Sequence, residues 1–421
     1  MRLIGYALKM KVWLKFLIGA FLGIALGFIL PADNEALHSS ISWLGELAIR
    51  IGRYALIPIL VFSLTIAVYE LRQDGQFWSL VLKTFAVMIG SAVFVIFAGI
   101  LTTLLFSPAP IPIPTVAQTE VIALDIAGDI LAVFPSNMLA ALAGDGVFLL
   151  PVSVFAFFLG MGLSYDRNYT KNVISLVDSL SRIFYHIGSF FSEILGFVMI
   201  VLSAYWAVRF QSALSAEVFR SVILLLGIFG AVLGFGILPL FLYLLRPKVN
   251  PWKVLHGSLS QALAAFFSGD INFTMPVIFR QLKENLGVRR RSNAVTVTLF
   301  SIFGRSGSAM VAAIAFMVVV NSYSALGITA AEAFSIGLSA LVISFLLGGH
   351  PGSGVYVALA VLSMSLGYDR GFEAGYLILR PIVFYLIAVG TFIDVMIASV
   401  ASFAIASTSG FRSEKETRSF I

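Results

Sequence analysis

Cysteine is absent from the 421-residue chain, and charged side chains are scarce, at 11% of all residues. The absence of cysteine excludes disulfides, thiolate nucleophiles and cysteine-based metal sites. A soluble globular protein carries about 25% charged residues, whereas 59% of this chain is hydrophobic and its mean hydropathy is +1.00. Several uncharged stretches exceed the roughly 18 residues that a helix needs to cross a bilayer. We therefore predict an all-α polytopic membrane protein.

Signatures of other protein classes are missing as well. The 27 Lys and Arg residues lie between apolar stretches rather than in a basic domain, so no nucleic-acid partner is expected. No glycine-rich phosphate loop is followed by Lys and Ser or Thr, which argues against ATP-driven transport. The histidines are too dispersed for a metal cluster; they are His38, His186, His256 and His350. We predict neither an enzyme nor a cofactor.

Charge and length predict six crossings in residues 1–246, with basic loops in the cytoplasm and acidic loops outside. The predicted spans are 12–30, 49–69, 83–106, 147–164, 187–207 and 222–245. The basic start of the chain leads into the first span without a cleavable site, so we expect it to be retained and cytoplasmic. The C-terminus is also expected in the cytoplasm, and the membrane is predicted to be a bacterial inner membrane.

Residues 247–421 do not follow simple hydropathy. Residues 254–279 carry basic flanks and the polar centre "SGDINFTMP", and each arm is shorter than the roughly 20 residues of a span. This pattern predicts a hairpin that enters and leaves on the cytoplasmic face. Polar backbone at membrane depth is tolerated where it is buried in protein or lines a cavity.

A second hairpin is predicted from the opposite face. Residues 295–323 cross outward through "FGRSGSAM", and residues 333–366 carry acidic flanks and are broken by "GGHPGSG". Residues 375–406 then return to a basic C-terminus. This order of hairpin, span, hairpin and span, with the hairpins entering from opposite faces, is an inverted repeat. In secondary transporters such a repeat places the substrate site near the midplane of the membrane, where the broken segments meet.

Three segments resemble the dicarboxylate/amino acid:cation symporter family, which includes the glutamate transporters. "IPILVFSL" (57–64) is similar to the family's second-helix Met-Pro-Ile-Val segment, "TMP" (274–276) to the end of its first hairpin tip, and "GHPGSG" (349–354) to its second tip. The resemblance implies eight transmembrane helices plus two re-entrant hairpins, a homotrimer, and elevator-like transport of a small polar or anionic solute. It assigns residues 1–246 mainly to a scaffold, with parts of the transport unit, and residues 247–421 to the substrate-transport core.

The chain departs from the family where sodium and substrate bind. The Asn-Met-Asp-Gly-Thr of the family's seventh span corresponds to Gly304, Arg305, Ser306, Gly307 and Ser308. The aspartates, arginine and asparagine of its last span fall on Leu379, Val383, Leu386 and Gly390, and Asp394 alone is retained. The third helix has Met88 and Ser91-Ala92 in place of Tyr and Thr-Ser, and the first tip has Asp270, Ile271 and Asn272 in place of serines. We expect sodium coupling to be weakened or lost, with protons or plain exchange favoured over sodium.

Arg305 is the central candidate, because a charge at the middle of a span costs about 3 kcal/mol or more. It is predicted either to replace a bound cation beside Asp394, with Gly304, Ser306 and Gly390 around it, or to bind an anionic group of the substrate. A structural ion pair is the alternative reading. Asp394, near the end of its span, could instead extend to the membrane surface.

The hairpin tips supply the other predicted substrate-binding residues. Asp270 either caps a half-helix or contacts the solute, and His350 either titrates near neutral pH or packs in a loop. The remaining candidates offer hydrogen bonds or close backbone approach: Asn272, Thr274, Ser308, Gly352, Ser353 and Gly354. Residues 289–291 are expected to anchor the topology against lipid headgroups. A channel, a substrate sensor or a conventional sodium symporter on the same fold remain alternatives.

Overall fold

The structure, a computed structural model, describes residues 10–30, 35–112, 126–215, 217–323, 327–367 and 372–421. Up to residue 246 the described α-helices are α1 (Val12–Ile29), α2 (Glu35–Arg53), α3 (Leu56–Gln73), α4 (Phe77–Phe106), α5 (Ile126–Val133), α6 (Leu150–Leu163), α7 (Arg167–Ser215), α8 (Arg220–Ala231) and α9 (Leu238–Leu245). Beyond it follow α10 (Pro251–Gly257), α11 (Leu259–Ser268), α12 (Ile271–Glu284), α13 (Arg290–Phe303), α14 (Ser306–Tyr323), α15 (Ala330–Ser344), α16 (Gly354–Gly367) and α17 (Val383–Thr408). The predicted all-α class is confirmed.

Seven segments of the described chain are long and apolar enough to cross a membrane. They are Val12–Ile29, Ser39–Gln73, Phe77–Phe106, Tyr169–Gln211, Glu217–Leu245, Arg290–Tyr323 and Gly375–Thr408. Seven of the eight predicted spans coincide with these segments or lie within them, to within one residue. The remaining prediction, 147–164, corresponds to α6, an apolar helix of 14 residues.

The second predicted span is two helices rather than one. α2 ends at Arg53 and α3 begins at Leu56. Pro58 lies in the first turn of α3, where its missing N–H costs nothing, whereas in a continuous helix its ring would clash with the carbonyl four residues earlier. The break between α2 and α3 places Arg53 inside the protein, where 18% of its side chain is exposed.

Both predicted hairpins are present, and local sequence explains the tip of the first and the start of the second. α11 ends at Ser268, and the next residue, Gly269, has a φ of +62°, the left-handed conformation that glycine adopts without strain. Asp270 then caps α12 by accepting a hydrogen bond from the Phe273 N–H at 2.8 Å. In the second hairpin, Thr329 and Glu332 form a capping box that starts α15.

The centre of the molecule is formed by α13, α14 and α17. Almost every side chain of α14 is buried, including Met310, Ile314 and Phe316. By contrast, α1 and α4 expose large apolar side chains, among them Phe21 and Leu105. The apolar side chains of α14 are therefore covered by protein, whereas many of those on α1 and α4 are not covered by the described residues.

The C-terminal tail packs against the base of the first hairpin. The Arg289 N–H donates to the Phe411 carbonyl at 2.8 Å, and the Ser413 N–H donates to the Gly287 carbonyl at 2.9 Å. The ammonium group of Lys11 also donates to the Arg418 carbonyl, at 3.2 Å. Lys11 and the tail therefore lie at the same end of the molecule.

Several predictions fall outside the described residues. They concern the basic start of the chain (1–9), the acidic turn after the first span (31–34), the middle of the proline-rich stretch (113–125) and the acidic flank of the second hairpin (368–371).

Candidate functional site

The seventh span is interrupted at the predicted motif. α13 ends at Phe303 and α14 begins at Ser306, so Gly304 and Arg305 form a short non-helical link. A Cβ atom on Gly304 would lie 2.6 Å from the Phe300 ring, a contact that requires glycine at this position. The link directs Arg305 into the protein, where 1% of its side chain is exposed.

Arg305 and Asp394 form an ion pair inside the helical bundle. Nε of Arg305 lies 3.0 Å from Oδ2 of Asp394, and the Asp394 side chain is 0% exposed. Asp394 therefore does not extend to the membrane surface. Charges are buried in proteins when they are paired and hydrogen-bonded, and this pair satisfies both conditions.

Asp394 also accepts hydrogen bonds from the first turn of α14. Its Oδ1 accepts from the N–H groups of Gly307 at 2.7 Å and Ser308 at 3.2 Å. Its Oδ2 accepts from the Ser308 hydroxyl at 2.5 Å. These N–H groups have no partner within their own helix, and a carboxylate at a helix N-terminus is favoured by the helix dipole. Asp394 thus caps a helix from another segment of the chain.

Glycines allow α14 and α17 to approach closely at this point. A Cβ atom on Gly307 would lie 2.7 Å from the Gly390 carbonyl oxygen, and one on Gly390 would lie 3.1 Å from Cα of Ser308. Gly390, predicted to belong to the cation site, provides the space for this close approach. The short separation brings Asp394 within reach of Ser308.

The second hairpin tip is connected directly to Arg305. Nη2 of Arg305 donates to the Pro351 carbonyl and to the Ser308 hydroxyl, each at 3.3 Å. The same carbonyl accepts from the Ile271 N–H at 3.3 Å. A Cβ atom on Gly354 would lie 3.0 Å from Nη2 of Arg305. One carbonyl of the second tip therefore contacts both the first tip and the arginine of the broken span.

Asp270 of the first tip has a second partner besides its own helix. Its Oδ2 is bonded to Nη2 of Arg53, which follows Gly52 at the end of α2. Asp270 is 2% exposed and Arg53 is 18% exposed. A Cβ atom on Gly352 would lie 3.0 Å from Oδ2 of Asp270, so this ion pair also borders the second tip.

Asn272 and Thr274 bond to backbone groups and do not meet Arg305. The Asn272 amide donates to the carbonyls of Gly146 at 2.9 Å and Val147 at 2.8 Å. The Thr274 hydroxyl donates to the Asp270 carbonyl at 2.5 Å. Both side chains stabilise the first hairpin and its contact with the segment before α6.

His350 and Ser353 lie in the second tip, and both are half-buried. His350 follows a short 3₁₀ turn, Leu347–Gly349, and the Ser353 carbonyl accepts from the Val357 N–H in the first turn of α16 at 3.0 Å. The tip places both residues within three positions of Pro351.

Two polar atoms at the broken centre of the seventh span have no hydrogen-bond partner among the described residues. They are Nη1 of Arg305 and Oγ of Ser306, each on a residue that is 1% exposed. Burying such a group without a partner costs about 1–3 kcal/mol. Both atoms lie at the broken centre of the span, beside the Arg305–Asp394 ion pair.

A cavity of about 270 Å³ borders both tips. Gly269 and Gly352 line it on the tip side, and aromatic side chains such as Trp206 and Phe384 line it elsewhere. Arg209 contributes a cation that lies 5.3 Å from the Phe384 ring centroid. The cavity gives the two tips an approach from the side of α2 and α7.

Arg53 and the Pro351 carbonyl were not among the site residues predicted from the sequence. Arg53 carried a detectable signal, because it is a charge inside the predicted second span. The Pro351 carbonyl left no signal in the sequence, because every residue has a backbone carbonyl.

The fold and this site define a class of membrane protein: a helical bundle in which two hairpin tips meet the broken centre of a span. The chain belongs to the Sodium:dicarboxylate symporter family, whose sequence model matches residues 12–408. The predicted resemblance and the predicted glutamate-transporter-like membrane fold are thereby confirmed. The family is a transporter family and not a class of enzymes.

Individual relatives share modest identity with the chain. It is 23% identical to the proton/sodium-glutamate symport protein of Bacillus subtilis (strain 168) over 368 residues, which cover 84% of this chain and 83% of that protein. It is 26% identical to excitatory amino acid transporter 5 of Mus musculus over 226 residues, covering 52% of this chain and 39% of the relative. It is 28% identical to excitatory amino acid transporter 1 of Homo sapiens over 129 residues, which cover 30% of this chain and 23% of the relative.

Proposed function

We propose that this protein is a secondary active transporter of a small polar or anionic solute, of the dicarboxylate or amino acid class, with sodium coupling weakened or lost. Family membership and the glutamate symport protein among its relatives support the solute class. The two hairpin tips that meet at Arg305 support a binding site enclosed by the tips, since secondary transporters bind solutes where broken helices meet.

The arrangement of oxygens around Arg305 carries the proposal of a built-in cation. Its guanidinium is bonded to three oxygens: the Asp394 carboxylate, the Ser308 hydroxyl and the Pro351 carbonyl. Carboxylate, hydroxyl and carbonyl oxygens are also the ligands that hard metal cations prefer. A sodium ion placed among them would be repelled by the fixed charge, so Arg305 takes the place of the ion.

Contact between Arg305 and the solute is the second part of the proposal. Nη1 of Arg305 and the Ser306 hydroxyl have no partner among the described residues, and guanidinium binds carboxylates with two parallel hydrogen bonds. Leu379 and Leu386, at the positions of the family's charged residues, are fully buried apolar side chains. Recognition of an anionic group therefore falls to Arg305 rather than to the last span.

Transport by an elevator movement follows from the family resemblance, with residues 247–421 as the core of the moving unit. The homotrimer, the lipid contacts of its surface, the bacterial inner membrane and the cytoplasmic position of both termini belong to the same proposal. The Arg53–Asp270 ion pair, between α2 and the first tip, would have to separate when the moving unit leaves the scaffold.

Uptake into proteoliposomes tests the proposed function. Radiolabelled L-glutamate and succinate serve as solutes, and sodium, potassium and proton gradients are imposed one at a time. We expect saturable uptake that an inward sodium gradient does not increase and that Arg305→Met abolishes. Arg220→Met is the matched control, because Arg220 is an exposed arginine at the start of α8.

Each of three outcomes would contradict a different part of the proposal. Uptake strongly driven by sodium would identify a conventional sodium symporter and remove the built-in cation. Conductance without saturable, exchangeable flux would indicate a channel. Binding of either solute without flux would indicate a substrate sensor.

A further inference from the structure

A second polar site lies away from the tips, at the base of the first hairpin. A pocket of about 300 Å³ is lined by Arg182, Tyr185 and His186 of α7, Lys283 near the end of α12 and Arg290 at the start of α13. Carboxylates are absent from this lining in the part of the chain that the structure describes. Three cationic side chains and an imidazole therefore face one space.

Lys283 is the least compensated of these cations. Its Nζ lies 3.5 Å from the centre of the Tyr185 ring. Within the described ranges, no carboxylate oxygen lies within 4.0 Å of its Nζ. The Tyr185 hydroxyl donates to Glu284 at 2.6 Å, so the ring is fixed beneath the ammonium group. A cation on an aromatic face keeps its N–H donors free for another ligand.

The two arginines are only partly neutralised. Asp178 accepts from Arg182 at 3.0 Å and from Arg290 at 2.5 Å, so a single carboxylate serves both guanidinium groups. Glu70 lies farther from Arg290, at 3.5 Å. The Arg182 side chain is 69% exposed, and its remaining N–H donors can reach a ligand in the pocket.

The local electrostatics agree with this geometry. Lys283 lies beyond the seven candidate spans. Burial lowers the pKa of its ammonium group, and the nearby guanidinium groups of Arg290 and Arg182 lower it further, against the opposing effect of Glu284. Like charges held together without a ligand repel one another, and an anion between them relieves that repulsion.

We propose that this pocket binds a phosphate-bearing anion, either a lipid headgroup or free phosphate. Arginine guanidinium groups and lysine ammonium groups bind phosphate oxygens. Basic pockets between helices bind anionic lipid headgroups. The anion would bridge α7 to α12 and α13. It would thereby hold the base of the first hairpin against the long helix α7.

Thermal unfolding of the delipidated full-length protein tests this site. The probes are inorganic phosphate and short-chain phosphatidylglycerol, with sodium chloride at equal ionic strength and zwitterionic phosphatidylcholine as comparisons. The readout is the probe concentration that gives half of the maximal increase in Tm. Because a charge-assisted contact is removed, we expect that concentration to rise about tenfold in Lys283→Gln.

Matched variants make the outcome specific. Lys283→Arg keeps the charge and is expected to restore binding, whereas Lys171→Gln removes an exposed charge from α7 outside the pocket and is expected to leave binding unchanged. If Lys283→Gln does not fold, Arg182→Gln replaces it, because the exposed Arg182 side chain is not needed for packing.

Each result has a defined meaning for the proposal. Saturation by phosphate as well as lipid identifies a free anion as a sufficient ligand, and saturation by phosphatidylglycerol alone identifies the headgroup. Equal stabilisation by sodium chloride, or equal affinity in Lys283→Gln and Lys171→Gln, overturns the site.

Discussion

Arg305 and Asp394 are 89 residues apart in the chain, yet Nε of Arg305 lies 3.0 Å from Oδ2 of Asp394 in the centre of the bundle. Neither side chain is exposed by more than 1%. Breaking a buried pair by removing one partner leaves an uncompensated charge and costs about 3–5 kcal/mol. The two residues therefore act as one unit, and neither is expected to tolerate replacement alone.

The variant Arg305→Met tests whether the arginine stands in for a cation. It leaves Asp394, Ser308 and the Pro351 carbonyl around a vacant position, so the protein should lose about 3–5 kcal/mol of stability. Added sodium should restore part of that loss, since the oxygens left behind are suitable ligands for a hard cation. Thermal unfolding in sodium chloride and in choline chloride measures both effects.

The unmodified protein is the control for this experiment. Its Tm should be the same in both salts, because the guanidinium already occupies the position. A variant that unfolds at the same temperature in both salts would show that the vacated oxygens do not form a cation site.

A double-mutant cycle measures the strength of the pair. Arg305→Met and Asp394→Asn should each be strongly destabilising, and the double variant should be less destabilised than the sum of the two. We expect a coupling free energy of about 2–3 kcal/mol, at the upper end of the range for residues in contact. Unfolding free energies of the four proteins in the same detergent give the value, and a coupling near zero would contradict a direct interaction.

Both hairpins and most of the spans could be predicted from the sequence, because each leaves a local signal. Runs of apolar residues mark spans, and glycine marks positions that a Cβ atom would obstruct. The proximity of Arg305 and Asp394 was predictable as well, since a charge buried in a membrane protein needs a partner and the family resemblance placed both at one site.

Other contacts could not be predicted from the sequence, for physical reasons. Arg53 and Asp270 are 217 residues apart, and several carboxylates could have been the partner of Arg53. Asn272, which was predicted as a substrate-binding residue, donates to the Gly146 and Val147 carbonyls, and these partners were not predicted. Backbone acceptors are chemically identical along the chain, so packing of the folded segments decides which one an amide meets.

Asp270 offers a test that separates helix capping from charge pairing. Asp270→Asn keeps a good N-cap for α12 but removes the charge that faces Arg53. Asp270→Ala removes both, and loss of an N-cap costs about 1 kcal/mol. We therefore expect the alanine variant to be less stable than the asparagine variant by about that amount.

Arg53→Met is the reciprocal change, and it leaves the capping hydrogen bond from Phe273 in place. If the pair holds the first tip to α2, Arg53→Met and Asp270→Asn should lower the Tm by similar amounts. A large effect of Asp270→Asn with none from Arg53→Met would show that the carboxylate serves its own helix alone.

Gly390→Ala tests the close approach of α14 and α17. The added Cβ atom would lie 2.6 Å from a methyl group of Val355 and 3.1 Å from Cα of Ser308, so a neighbouring helix has to shift. Overpacking of this kind costs about 1–3 kcal/mol. It should also weaken uptake, because Ser308 would move away from Asp394. Gly90→Ala is the matched control, since a Cβ atom at exposed Gly90 in α4 meets nothing within 4 Å. Equal Tm and uptake in the two variants would mean that the helices accommodate the methyl group without disturbing the site.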